Sequence, residues 1–499
     1  MRNSLKCIPA ALLVLFGLAP LSTSIHAQTT YVYTNNNSIP NTISAFSVGP
    51  GGILVPLGPP KPTGGDGFGS FSASNTATAT IRRNFLYVSN NGTSNISGFS
   101  IDTTTGLLTS VPGSPFAAGG SGGSGGISLA VTPNGRFLYA GNSGSNNISA
   151  FSIGPHGALT ALTSISSPFP LGEPPDGIKV SPNGKFLGVA LPFSNRVAML
   201  RIDSYGALHS VLGSPFSQGG MGNLASSVDM SCKSQQLFAA LDNATNTDVG
   251  VSTIHSNGAL SAIAGSPFTF MSGFNSDVGV LSPNNQWLFV SNQYSGTITS
   301  LDVETDGSLA LVGGSPFPDS TALIPSGLAT NREGTLLYVA NGDNSVTGFA
   351  IDNNNGALFP VGPPVLTGVN GSLRSLTVFP SNAVEGGGGE KGDDGHEGRF
   401  SFHAERDCVA TGEMEFEEPD TGKRMTGSVG AVTVAGSTAI ISGSGTLLDG
   451  TPLNYTAVVL GNVPVIGLNR FAISWLTSTG SVFQTSGPLT DGYIVVHPQ

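Results

Sequence analysis

A chain of 499 residues with a net charge of −11 and only 19 Lys and Arg is a poor partner for nucleic acid. The length allows two or three domains, and 70 Gly among many Ser, Thr and Asn suit a turn-rich β protein rather than a helical one. Three Cys supply no metal framework, and no cofactor motif is legible.

Residues 1–27 read as a secretory signal peptide. Arg2 and Lys6 form a basic n-region, Ala10–Leu18 an apolar core too short to span a bilayer, and Ile25-His26-Ala27 a cleavage site. Their removal takes two basic residues and no acidic one, so the mature chain, secreted or held in the periplasm or at the cell surface, carries −13 and no membrane span. Cys232 and Cys408 then remain; lying in different segments, they are expected as free buried thiols.

From Tyr31 one unit recurs. At Phe137–Phe169 it consists of an aromatic-apolar run, a Gly/Asn/Ser loop, an alternating run, a Gly-Pro-His-Gly turn, a short run from Ala158 and a Ser-Pro-Phe exit. Equivalent Phe residues at 116, 169, 216, 268 and 317 set a period of about 50 residues, the length of a four-stranded propeller blade. In the fourth copy the strands are expected at Gly177–Val180, Phe186–Ala190, Arg196–Ile202 and Ala207–Val211, with a Ser-Pro-Asn-Gly turn at Ser181–Gly184.

First runs can be counted at Ala77, Ser128, Gly177, Ser227, Val278, Gly327 and Ser375, seven in all. The N-terminus begins on a second run, Tyr31–Thr34, whose missing first run comes only at Ser375–Phe379. The C-terminal strand therefore completes the first blade and closes the ring over residues 28–380.

Residues 381–398, with Gly386–Gly389 and an acidic run, read as a flexible linker. From 399 to 499 alternating runs return without the blade period, beginning Arg399–His403, Gly412–Phe416 and Val429–Val434, which predicts a smaller β-sandwich-like module. The fold class is all-β throughout.

The Thr132–Gly135 and Ser181–Gly184 turns, the Phe-Leu-Tyr-Val/Ala runs and the (I/V)-(S/T)-x-(F/L) third strands resemble the lactonase-like seven-bladed propellers, the 6-phosphogluconolactonase-type or YVTN-repeat group, over about residues 30–380. The last hundred residues, Gly427–Gly443 above all, resemble a C-terminal β module of other secreted bacterial proteins. Enzymatic members of the propeller family place His and Arg at the axial end of the first strand, with a Glu in the following loop. Aligned on the Pro-Asn-Gly turn, the axial residues here are Asn75, Ile127, Asp176, Ser226, Asp277, Ser326 and Arg374. Pro175-Asp176-Gly177 stands where the family has Pro-His-His, Ser226-Ser227 where it has Arg-His, and Asp242 near its Glu, while Arg196 matches a family Arg.

Lactone hydrolysis needs a proton acceptor and a donor for the developing oxyanion. His156 and His255 sit in outer turns and His209 on an outermost strand, so no Ser-His-Asp arrangement reaches the axis. Asp176 or Asp277 as base, with Arg374 or Arg196 on the oxyanion, is the catalytic set that remains. The wider ligand-binding set is Asn75, Asp176, Ser226, Asp242, Asp277, Ser326 and Arg374. No metal is assigned; Asp393, Asp394, His396 and Glu397 read as a solvated charge run. Two functions follow: a module binding a sugar-acid or lactone-like ligand, or an extracellular protein or glycan, through the funnel and loops; or the lactonase-like hydrolase or cyclase that the resemblance implies. The missing axial His favours binding.

Overall fold

The computed structural model describes residues 30–69, 79–82, 84–163, 167–220, 223–233, 235–319, 324–379, 383–393, 395–406, 410–435, 437–461 and 466–496. The expected signal peptide, Asn75 and Cys408 lie outside these residues. Seven antiparallel sheets form the propeller, each with four strands ordered outward from the first. In the fourth blade the strands are Ile178–Val180, Phe186–Leu191, Arg196–Ile202 and Leu208–Ser210, within two residues of expectation. Second strands are the most buried, as at Leu86, Tyr87 and Val88, because each is flanked by strands on both sides and by blades on both faces. Burying each large apolar side chain there contributes about 1.5–3 kcal/mol.

The recurring sequence elements each satisfy a particular backbone or side-chain need. Every Ser-Pro-Phe exit carries a fifth, two- or three-residue strand that the sequence reading left as a loop, Phe216–Ser217 pairing with Arg196 and Val197 in the fourth blade. Its Ser hydroxyl accepts an N–H of the third strand where the fourth strand has turned away: Gly98 N donates to Ser114, Met199 N to Ser214 and Val251 N to Ser266, at 2.8–3.0 Å. Asn90, Asn142, Asn292 and Asn341 end their second strands, and the amide of each donates to two side chains of the third strand, Asn142 to Asn147 and Ser149 at 2.9 Å each. Second-strand Tyr hydroxyls reach the outer turn of the next blade, Tyr87 to Gly157 O at 2.8 Å and Tyr139 to Gly206 O at 3.0 Å. These tyrosines therefore join blades rather than forming a stacking platform.

Closure follows the expected route. Ser375–Phe379 pairs with Tyr31–Asn35 in register from Tyr31↔Phe379 to Asn35↔Ser375, and the Tyr31 and Phe379 rings stack at 6.5 Å. Tyr338 of the seventh blade donates to Gly52 O of the first at 3.1 Å, so the seam carries the same inter-blade bond as its neighbours.

The C-terminal region is all-β, but a single nine-stranded antiparallel sheet replaces two facing layers. It curls until a bridge from Glu390 to Leu489 brings its two ends together. Alternate side chains point inside, where Phe400 stacks on Phe471 at 4.0 Å and Trp475 on Phe483 at 3.9 Å. The stretch expected as a linker is instead strand Ala383–Lys391, paired with Glu397–Arg406 on one side and Tyr493–Val496 on the other. Its glycines serve packing: a Cβ on Gly386 would meet the Phe402 ring, and Gly388 holds φ +157° with the Asp491 carbonyl against it. The thiol expectation also changes, because Cys232 is disulfide-bonded.

Candidate axial site

First strands begin, and second strands end, on one face of the propeller, so the residues at or just before the start of each first strand converge on the axis there. The structure brings Asp176, Ser226, Asp277, Ser326 and Arg374 to that position, all below a tenth exposed. Ser hydroxyls tie neighbouring blades: Ser226 Oγ donates to Asp277 O at 2.7 Å, and Ser128 Oγ to Asp176 O at 2.7 Å.

Three charges meet in this buried ring. Arg374 is 1% exposed; burial lowers its pKa, while Asp277 and then Asp176 act to keep it charged. Its Nη1 donates to Ser326 Oγ at 3.1 Å. Asp277 is 2% exposed, and burial holds its carboxyl well above the usual carboxylate range despite Arg374. Gln293 Nε2 donates to Asp277 Oδ2, while Oδ1 has no hydrogen-bond partner among the described residues. A shift in this direction favours the protonated acid, a form that donates a hydrogen bond rather than taking a proton.

Above the ring, Asp242 ends the second strand of the fifth blade, half-buried, with its pKa pushed up to about 6 by burial. Asn275 Nδ2 approaches Asp242 Oδ2 at 3.4 Å, and Gln293 N donates to Asn275 O at 2.9 Å. Tyr294, 57% exposed, and Phe274, 37% exposed, stand on this rim. Gln293 and Tyr294 escaped the sequence reading, which aligned first strands only. The Asn-Gln-Tyr at 292–294 was the available signal, since an aromatic follows the second strand elsewhere only in the fourth blade, at Phe193.

Arg196 does not join the cluster: it opens the third strand of the fourth blade, exposed, opposite Leu191 and Ser217. Asn75 lies outside the described residues. The histidines of the propeller stay in outer turns and strands, His209 against Asp203 at 2.9 Å and His255 against Ser261 at 2.9 Å. A groove of about 970 Å³ lies where Asn134 and Arg136 of the third blade face the curled sheet. Its charged lining is Arg136 and Glu413, with no convergence of buried titratable groups, so the axial ring is the better candidate.

A closed seven-bladed propeller with a polar axial ring defines the class. The family model for the lactonase seven-bladed β-propeller matches residues 83–220 and 246–371, more than half of the chain. The chain belongs to that family. No curated protein matches it significantly. Among solved structures, a Bacteroides fragilis protein assigned as a 6-phosphogluconolactonase candidate is 18% identical with a TM-score of 0.56, covering 72% of this chain and 99% of its own. The periplasmic gluconolactonase of Pseudomonas aeruginosa is 17% identical with a TM-score of 0.56, covering 71% and 99%. A functionally unknown protein from Desulfotomaculum acetoxidans is 15% identical with a TM-score of 0.51, covering 70% and 98%. At these identities the likeness is one of fold.

Proposed function

We propose that this chain is a ligand-binding propeller that takes a small polar molecule at the axial end of its first strands. The observation that carries the reading is the convergence of Asp176, Asp277 and Arg374 from three blades into one buried, mutually interacting ring. Buried charge is costly, and a merely structural plug is served as well by neutral Ser and Asn. Binding is favoured over hydrolysis because burial favours the protonated form of the best-placed acid, Asp277, and the described propeller histidines His209 and His255 have partners elsewhere.

A second reading, a lactonase acting on a sugar-acid lactone, is supported by the family and by Asp176. In that reading Asp176 accepts the proton from water, the protonated Asp277 donates toward the carbonyl oxygen, and Arg374 steadies the developing charge. The ligand is met outside the cytoplasm, a placement supported by the n-region and apolar core at the N-terminus and by the disulfide at Cys232. Extracellular partners other than a small molecule would use the exposed loops of the same face.

The test combines a turnover assay on glucono-δ-lactone with a thermal-shift screen of small polyols and sugar derivatives. Binding predicts ligand-dependent stabilisation, lost in Asp176→Asn, with no hydrolysis above buffer. Hydrolysis that falls about a hundredfold or more in Asp176→Asn would establish the second reading instead.

A further inference from the structure

The two carboxyls and two aromatic rings at the mouth say which charge the ligand carries. We propose that the axial mouth selects a small organic cation, an ammonium-bearing molecule held between Asp242 and the faces of Tyr294 and Phe274, above Asp277. This rests on the binding reading above.

The groups form one contiguous patch between the fifth and sixth blades. Asn275 joins Asp242 to the backbone of Gln293, and Phe274 N donates to Ser295 Oγ at 3.3 Å, which ties the Phe274 backbone to the loop that carries Tyr294. Both rings are exposed, whereas the second-strand tyrosines are fully buried. An ammonium over the face of such a ring gains about 0.5–2 kcal/mol, and a carboxylate beside it adds a charge-assisted hydrogen bond. Below them Asp277 Oδ1, buried and without a hydrogen-bond partner among the described residues, offers a further polar contact.

The charge balance excludes the opposite class. Facing Asp277 are Arg374, Asp176, Gln293 and Asp242, and facing Arg374 are Asp277, Asp176 and Tyr294. The one cation in this set is 1% exposed and already opposed by two carboxyls. An entering carboxylate or phosphate would meet Asp242 first and would have to compete with Asp277 and Asp176 for Arg374. The sugar-acid ligand suggested by the family resemblance therefore fits the mouth poorly, whereas an ammonium meets complementary charge and exposed π faces.

Three probes with one carbon skeleton separate the outcomes: D-glucamine (cationic), D-glucitol (neutral) and D-gluconate (anionic), titrated calorimetrically into the full-length mature protein at pH 7.5. The expected order is glucamine at least about tenfold tighter than glucitol, with gluconate weakest. Asp242→Asn should erase the preference for glucamine over glucitol, and Tyr294→Ala should reduce it about fivefold, with melting temperatures of both variants close to the parent. Glucamine affinity should also fall below about pH 6, where Asp242 takes up its proton. Equal or tighter binding of glucitol or gluconate overturns the charge assignment and leaves the binding reading standing. Failure of all three to bind at millimolar concentration removes both.

Discussion

Arg374 Nη1 donates to Ser326 Oγ at 3.1 Å across the seam between the seventh blade and the strand that closes the first. The residue that enters the axial charge ring is thus the one immediately before closing strand Ser375–Phe379. Closure of the propeller and assembly of the site are one event. Removing the guanidinium leaves Asp277 and Asp176 facing each other without a cation, so Arg374→Ala should cost about 3–5 kcal/mol. Chemical denaturation of Arg374→Ala alone and combined with Asp277→Asn checks this, the second change recovering part of the loss.

Truncation after Asn370 removes the strand paired with Tyr31–Asn35 and exposes the inner edge of the first blade. Loss of cooperative melting, or aggregation, is the expected result, read by calorimetry and size-exclusion chromatography. A monomeric, cooperatively melting fragment ending at residue 370 would show that closure is dispensable.

Asp319, fully buried between the sixth and seventh blades, accepts from Thr347 Oγ1 at 2.6 Å and has its pKa pushed up to about 7 by burial. The folded state then binds more protons than the unfolded chain between about pH 4 and 7, so stability declines as pH rises through that window and levels above it. Each pKa unit is worth about 1.4 kcal/mol. Asp319→Asn should flatten that part of the stability–pH curve; an unchanged slope would remove Asp319 as its source.

Tyr139→Phe deletes the bond to Gly206 O and strands that carbonyl between the third and fourth blades. A loss of about 1–2 kcal/mol is expected in urea unfolding. Gly388→Ala should destabilise the curled sheet by a comparable or larger amount, since φ +157° and the Asp491 carbonyl leave no room for a Cβ. The Gly386–Gly389 stretch should also resist proteolysis, because its backbone is paired on both sides.

The propeller was legible because its repeat writes the same chemistry seven times: Arg196–Ile202 coincides with its expected strand, and Tyr31–Asn35 waits for Ser375–Phe379 as the permuted repeat requires. The axial acids and Arg374 followed from the same alignment. Gln293 and Tyr294 did not, since they lie past the second strand, where blades differ and no repeat constrains them. Gly386–Gly389 misled for a physical reason: glycine marks both an unpacked linker and a strand pressed under Phe402, and composition cannot separate the two. Arg196, matched to the family by type, opens a third strand, exposed and outside the buried axial ring.

The most direct test of the account is the rate of glucono-δ-lactone hydrolysis by the mature protein beside its ligand-dependent thermal shift, in the parent and in Asp176→Asn/Asp277→Asn. The account predicts a thermal shift that the double variant loses and no hydrolysis above buffer in either. Hydrolysis by the parent would contradict it: if abolished in the double variant, the axial ring is a catalytic site, and if undiminished, the active site lies elsewhere on the molecule.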